Sequence, residues 1–211
     1  MYLSTQATTT QAKEKVANEY LSHSYTSIHI LPLNQYGRFD DRSRVYLQRF
    51  IDAYKPMTVV ELKSGLGLST SYIASLLPQG ARLYAIDSWQ RHEDYTVRFP
   101  EAIPILPSFY QQFLSNVIHQ KQTHTIIPIR MESRESASLT IKPELIYINA
   151  IESAEPIADD LMWYFALPSK GIMCGNNWED PAVQQAITTF VHTVRTLVHF
   201  DGSFWYLDPK P

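Results

Sequence analysis

The sequence predicts an α/β fold: a mostly parallel sheet of seven strands, flanked by helices and closed by an antiparallel C-terminal hairpin. Three observations predict it. The run V-V-E-L-K-S-G-L-G-L-S-T over 59–70 reads as a short apolar strand, a glycine-containing turn and the start of a helix. An open α/β sheet presents a nucleotide-type ligand to a helix N-terminus in this way. From Thr58 onward strand and helix signals alternate, which implies parallel strands with helices on both faces. Near the end, V-H-F-D-G-S-F-W-Y-L sets Asp201-Gly202 between two apolar runs, a strong hairpin signal.

The elements follow in order. Ser4–Gln11 is rich in Thr and Gln and reads as a frayed end. Lys13–His23 places Val16, Ala17, Tyr20 and Leu21 at helical spacing. Ser27–Leu33 is apolar and contains proline, so it reads as extended. Asp40 or Asp41 is an N-cap for a helix with the stripe Val45, Leu47, Phe50, Ile51 and Tyr54, ended by Lys55-Pro56. Thr58–Leu62 is the first strand of the sheet. Ser69–Leu77 is a helix, with Tyr72, Ile73, Leu76 and Leu77 inward, closed by Pro78 and Gly80. Arg82–Ile86 is the second strand and ends at Asp87. The segment Ser88–Pro107 holds Pro100, Pro104 and Pro107 and no period; loops of this length in compact domains are often lids or binding loops.

Ser108 caps a helix through His119, with Phe109, Phe113, Leu114, Val117 and Ile118 inward. Thr125–Ile129 is the third strand, Ser133–Leu139 a short helix and Leu145–Ile148 the fourth strand. Ser153–Leu167 is a helix and Gly171–Cys174 the fifth strand. Asp180-Pro181 supplies an N-cap and an N1 proline for a helix running to about Arg195. Two units result: an N-terminal helical and extended segment, 1–40, and a domain, 41–211, with a lid-like loop at 88–107.

Bulk properties narrow the function classes. The 211 residues suffice for one such domain, and 45% hydrophobic with 18% charged residues is a globular composition. A formal net charge of −3 offers no global basic field for nucleic acid or an anionic membrane. The lone Cys174 excludes an internal disulfide and a cysteine zinc cluster; in I-M-C it reads as a small buried hydrophobe. No apolar run reaches the about 18 residues a membrane helix requires, and no secretory pattern opens the chain. The expectation is a cytoplasmic protein. The seven histidines show no H-x-x-x-H or H-E-x-x-H spacing; His92, in the lid-like loop, is the one of interest.

The glycine run is joined by further blocks: L-Y-A-I-D-S-W at 83–89, F-L-S-N-V-I-H at 113–119, I-I-P-I-R-M-E-S at 126–133, E-L-I-Y-I-N-A at 144–150 and G-I-M-C-G-N-N-W at 171–178. In this order and spacing, from about Thr58 to Leu207, they resemble the class I S-adenosylmethionine-dependent methyltransferases. The resemblance is to a bacterial small-molecule methyltransferase group with a first-strand motif of the type V-E-L-G-(S/T)-x-L-G-x-S-T. It implies a Rossmann-like methyltransferase sandwich, S-adenosylmethionine as cofactor and a small-molecule acceptor. It also implies roles. Glu61 and the turn Lys63, Ser64, Gly65 and Gly67 would lie against the methionine part of the cofactor. The helix N-terminus at Ser69 and Thr70 would face its carboxylate, as the dipole favours. Asp87 would accept hydrogen bonds from the ribose hydroxyls, with Ser88 and Trp89 beside it. Met131, Glu132 and Ser133 would border the adenine. Asn149 sits where acceptor and methyl group would meet, with Asn176, Asn177 and Trp178 at the same sheet edge and the 89–107 segment as cover. A homodimer is common for such folds. Read alone, Asp87 could simply cap a loop, Trp89 and Trp178 could be packing residues, and Glu132 reads as a solvated charge.

The chain departs from that pattern in ways that bear on chemistry. Lysine stands at 63 where the motif has its first glycine. A side chain there would intrude on the cofactor or swing out to solvent, and a positive φ would cost it about 1 kcal/mol. Relatives of this type carry Y-I-D-(A/G)-x-H and G-D-D-W; this chain has Y-I-N-A-I-E and G-N-N-W. Asn149, Asn176 and Asn177 are therefore amides where relatives that use Mg²⁺ have carboxylates, and Glu152 replaces a histidine. A neutral amide is a poor partner for a hard cation and cannot act as a general base, so no metal is expected. Glu152 and His92 remain as candidate bases. Three readings stand: a metal-independent methyltransferase acting on a small molecule, a catalytically degenerate relative serving as a binding or regulatory module, and a nucleotide-binding protein or NAD-dependent oxidoreductase. The methyltransferase-like blocks and the closing hairpin argue against the last.

Overall fold

Short apolar runs such as V-V-E-L and L-I-Y-I form strands because helices cover both of their faces, which selects continuous rather than alternating hydrophobicity. The computed structural model describes residues 25–26, 28–37, 39–90, 108–136, 139, 141–149, 154–166 and 171–208. The expected helix over 13–23, residues 91–107 of the expected lid with His92, and Glu152 lie outside the described residues.

The described elements are, in chain order, α1 (Asp41–Tyr54), β1 (Thr58–Leu62), α2 (Leu68–Leu76), β2 (Arg82–Asp87), α3 (Phe109–His119), β3 (Ile126–Arg130), α4 (Ser133–Ser136), β4 (Leu145–Ile148), α5 (Ala154–Ala166), β5 (Ile172–Gly175), α6 (Pro181–Val194), β6 (Val198–Asp201) and β7 (Phe204–Leu207). The strands form one sheet in the order β3-β2-β1-β4-β5-β7-β6. Pairing is parallel from β3 through β5, and β7 is antiparallel to both β5 and β6. The order reverses between β1 and β4, and ligands of open α/β sheets bind outside the carboxyl ends of strands at such a switch point.

Each face of the sheet has its own core. Val59, Leu83, Ala85 and Tyr147 pack with Leu47 and Ile51 of α1, Ile73 of α2 and Phe113 and Val117 of α3. Val60, Leu62, Ile86 and Ile146 pack with Ile157 and Leu161 of α5 and Ile187 and Phe190 of α6. The expected caps are in place. Asp40 accepts from Ser43 N, Ser108 from Gln111 N, and Asp180 from Ala182 N ahead of Pro181.

Two expectations are corrected. The inward stripe of α1 is Ser43, Leu47 and Ile51, while Val45 and Tyr54 are exposed; i, i+4, i+8 spacing fixes that face, and Val45 lies off it. In the hairpin, Asp201 pairs with Phe204, so the two turn residues are Gly202 and Ser203, with Gly202 at φ 59°. Asp201 instead accepts from Arg42 at 3.3 Å and Tyr46 at 3.2 Å, tying the hairpin to α1.

Residues 28–37, which include most of the proline-containing run read as extended, form neither helix nor strand. Side chains of α3 take the place of a ladder. Ser115 Oγ accepts from Leu31 N at 3.0 Å, and Gln111 and Gln112 donate to the carbonyls of His29 and Pro32, each at 2.8 Å. No helix among the described residues is long and apolar enough to cross a membrane.

The hairpin is locked by Gly175, where an added Cβ would meet the Trp205 ring at 2.5 Å and the Ile148 carbonyl oxygen at 2.6 Å. Gly175→Ala is expected to destabilise the protein by about 2 kcal/mol or more, read as a lowered urea midpoint at unchanged slope.

Candidate functional site

At the end of β1, Lys63 N donates to Ile86 O at 2.7 Å, extending the pairing with β2 by one residue. The chain then turns through three left-handed residues: Lys63 (φ 62°), Gly65 (φ 53°) and Gly67 (φ 85°). The two glycines serve different needs. A Cβ at Gly67 would lie 3.2 Å from the Phe113 ring, so a side chain there would crowd the ring as well as strain the backbone. A Cβ at Gly65 would meet nothing within 4 Å among the described residues, so its left-handed backbone conformation rather than packing calls for glycine.

Glu61 organises the turn from below. It is fully buried, and its carboxylate accepts from Ser69 Oγ at 2.5 Å and from Thr70 Oγ1, both in the first turn of α2. Burial pushes its pKa up from 4.5 to about 7, opposed by the hydrogen bonds of Ser69, Thr70 and Ser64 and assisted by the charge of Asp87. In this arrangement Glu61 reaches a ligand only through the helix start it holds.

Asp87, at the end of β2, meets the same turn. Its Oδ2 accepts from Gly65 N at 2.9 Å and its Oδ1 from Trp89 N at 2.7 Å, while Trp89 Nε1 donates to Gly65 O at 2.7 Å. Trp89 is buried beside Phe113 and Tyr110 at centroid distances of 4.6 and 4.9 Å. This docking holds the bulky residue at φ 47°. A carboxylate oxygen accepts two hydrogen bonds, so these contacts position Asp87 without disqualifying it as a ligand acceptor. Ser88 is buried, and its carbonyl accepts from Arg130 Nε at 3.4 Å.

The Lys63 side chain does not swing out to solvent. Its Nζ lies 3.4 Å from Asp160 Oδ2 on α5, with side-chain exposures of 13% and 1%. A carboxylate buried that deeply requires a counter-charge, and Lys63 supplies it. The other oxygen of Asp160 accepts from Ser133 Oγ at the start of α4. Of the residues after β3, Met131 is half-buried and bonded through its N–H to Asp87 O at 3.0 Å, whereas Glu132 is exposed.

At the ends of β4 and β5 the amides hold one another. Asn176 Nδ2 donates to Asn149 Oδ1 at 2.8 Å, and Asn149 Nδ2 donates to Lys63 O at 3.2 Å. An amide can accept on one side and donate on the other; an aspartate at 149 would set an oxygen against the Lys63 carbonyl. This neutral, mutually bonded donor set does not fit a hard divalent cation. Asn177 takes φ 59°, a conformation asparagine tolerates. Trp178 stacks on Phe200 at 4.6 Å and 17°, in the hairpin packing.

The structure thus brings Glu61, Lys63, Ser64, Gly65, Gly67, Ser69, Thr70, Asp87, Ser88, Trp89, Asn149 and Asn176 to the carboxyl ends of β1, β2, β4 and β5. Sequence reasoning missed Asp160 and Asn116. Asn116 is fully buried on α3 and uses its whole amide: Oδ1 accepts from Asn34 N (2.9 Å) and Gln112 Nε2 (3.0 Å), and Nδ2 donates to Asn34 O (2.6 Å) and Leu66 O (2.8 Å). Gln35 adds bonds from Nε2 to Gly67 O at 3.1 Å and Ser71 Oγ at 3.0 Å. The polar stripe Gln112, Ser115, Asn116 and His119 at helical spacing was the available signal; it looks like a solvated face until the segment 28–37 covers it.

No protein-family model matches the chain, and no curated protein matches it in sequence. Solved structures do. The O-methyltransferase TomG from Streptomyces achromogenes, involved in tomaymycin synthesis and solved with S-adenosylmethionine, superposes at TM-score 0.61 and 15% identity over 92% of this chain and 90% of that one. An O-methyltransferase from Bacillus cereus in complex with S-adenosylhomocysteine gives 0.57 and 15% over 93% and 91%. A methyltransferase from Geobacter sulfurreducens gives 0.59 and 14% over 95% and 87%. The fold is that of the class I, Rossmann-like methyltransferases.

Two outcomes are expected from this geometry. Because burial raises the Glu61 pKa, the folded state holds its proton more tightly than the unfolded chain. The contribution to stability is complete below pH 4.5 and is lost as pH rises to about 7. Urea midpoints of wild type and Glu61→Gln across pH 4.5–8 should show that slope in the wild type and its absence in the variant. Asn116→Ala strands the Asn34 and Leu66 carbonyls and should cost about 2–4 kcal/mol in the same measurement.

Proposed function

We propose that the chain binds S-adenosylmethionine at the carboxyl ends of β1, β2 and β3 and transfers its methyl group to a small molecule without a divalent cation. The observation that carries this reading is the junction of Asp87 with the Gly65 turn: an acidic side chain held against a left-handed glycine beside which the described residues leave space, at the switch point of a methyltransferase-type sheet. TomG and the Bacillus cereus protein were solved with the cofactor or its product.

In this reading Asp87 accepts from the ribose hydroxyls. The N-terminus of α2 favours the methionine carboxylate through its dipole. Met131 and Ser133 border the adenine. The bound cofactor supplies an electrophilic methyl group on a sulfonium. Asn149 and Asn176 orient a neutral acceptor by hydrogen bonds, since their amides can neither hold Mg²⁺ nor remove a proton. Glu152 or His92 serves as the base that takes the acceptor's proton.

A second reading is favoured by one specific observation, the left-handed Lys63 engaged with Asp160 inside the turn. On that reading the fold binds a ligand or partner and transfers nothing.

Calorimetric titration with S-adenosylmethionine and S-adenosylhomocysteine, followed by an acceptor screen with and without EDTA, separates the two. The first reading expects saturable binding, weakened at least about tenfold by Asp87→Asn, and S-adenosylhomocysteine production indifferent to EDTA. Binding with no product from any acceptor favours the second. No binding by a folded protein overturns the cofactor reading.

A further inference from the structure

We propose that Lys63, Asp160 and Ser133 form a built-in bridge across the nucleoside part of the cleft, an autoinhibitory contact that a cofactor must displace. The inference rests on the cofactor reading given above and goes beyond it by naming a contact that competes with the cofactor. Three departures of the chain meet in this one device. Lys63 leaves the turn in a left-handed conformation that is costly for a side chain. It persists because each of its polar ends is held: N–H to Ile86 O at 2.7 Å, C=O by Asn149 Nδ2 at 3.2 Å, and Nζ by Asp160 at 3.4 Å. Asp160 then hands the contact on to Ser133 Oγ.

The bridge therefore runs from residue 63, beside the methionine part of the cofactor, to residue 133, at its adenine. Its route crosses the interval that an adenosine would span. The latch also explains the amide at 149. Asn149 can donate to the Lys63 carbonyl while accepting from Asn176 at 2.8 Å, and an aspartate could not do both. Asp160 is 1% exposed and Lys63 13%, so parting them costs more than parting a surface ion pair. The closed arrangement is self-sustaining, and the apparent affinity of any adenosine ligand falls by the fraction of molecules in which the bridge is open.

The test is calorimetric titration of S-adenosylhomocysteine into wild type, Lys63→Gly, Lys63→Met and Asp160→Asn, each checked for a cooperative thermal transition. Lys63→Gly relieves the left-handed strain but takes the cation from the buried Asp160; should it not fold, Lys63→Gly combined with Asp160→Asn, which removes both charges, is read in its place. Asp160→Asn keeps every side chain of the turn and removes only the charge. For a bridge closed in about 90–99% of molecules, Lys63→Gly should bind about 10–100-fold more tightly than wild type. Lys63→Met and Asp160→Asn should each bind at least about threefold more tightly. Adding Asp160→Asn to Lys63→Gly should bring no further gain, because the two residues act as one unit. Tighter binding by Lys63→Gly with Asp160→Asn unchanged would show that the Cβ at 63 is the obstacle and would overturn the bridge. Equal binding by wild type and all variants would overturn the bridge while leaving the cofactor reading intact. Absence of binding by every folded variant would overturn both.

Discussion

A carboxylate sealed from solvent, that of Glu61, joins the last paired residues of β1 to the first turn of α2 through Ser69 and Thr70. Everything at the sheet's carboxyl edge is referenced to that joint. Between the two elements the backbone must reverse through residues 63–67, where strand and helix reach only the Lys63 N–H, through Ile86 O, and the Gly67 carbonyl, through Ser71 N, and cannot satisfy the rest of its polar groups. Neighbouring side chains do so instead: Asn149 on the Lys63 carbonyl, Asp87 and Trp89 on the two sides of Gly65, Asn116 on Leu66, Gln35 on Gly67. A buried turn carries this obligation. The β1 side of the cleft is consequently built by contributions from β2, β4, α3 and the segment 28–37.

The amides at 149, 176 and 177 set what the opposite side can do. Three carboxylates at 149, 176 and 177 would repel one another unless a cation lay between them. Amides need no cation, because each supplies both a donor and an acceptor, and Asn176 and Asn149 use that property to close on one another and on Lys63. The amides at 149 and 176 thus add cohesion. They also couple the β4 end to the turn, which is why the residue at 63 and the residue at 149 are best considered together.

Much of the architecture was legible in the sequence. The bounds of β1 and β4 follow from uninterrupted apolar runs, and the caps at Asp40, Ser108 and Asp180 from short polar side chains before periodic segments. These are local signals, set by propensity and capping. The hairpin was legible as a hairpin but not in its register, because Asp201 is drawn into the ladder by its bonds to Arg42 and Tyr46, more than 150 residues away. The polar residues of α3 looked solvated for a comparable reason: what covers them is a segment more than 75 residues earlier in the chain.

By itself the sequence determined the α/β class, the order of strands and helices, the antiparallel ending, the glycine-containing turn and the presence of amides at 149, 176 and 177. Each of these depends on near neighbours in the chain or on side-chain identity. Only the tertiary structure decided where the Lys63 amine goes, what Glu61 holds, that Asn116 and Gln35 anchor the turn, and that the amides bond to each other rather than to solvent. Those outcomes depend on which distant partner lies within hydrogen-bonding reach, and on the cost of leaving a buried charge or amide unpaired, and no linear pattern encodes either.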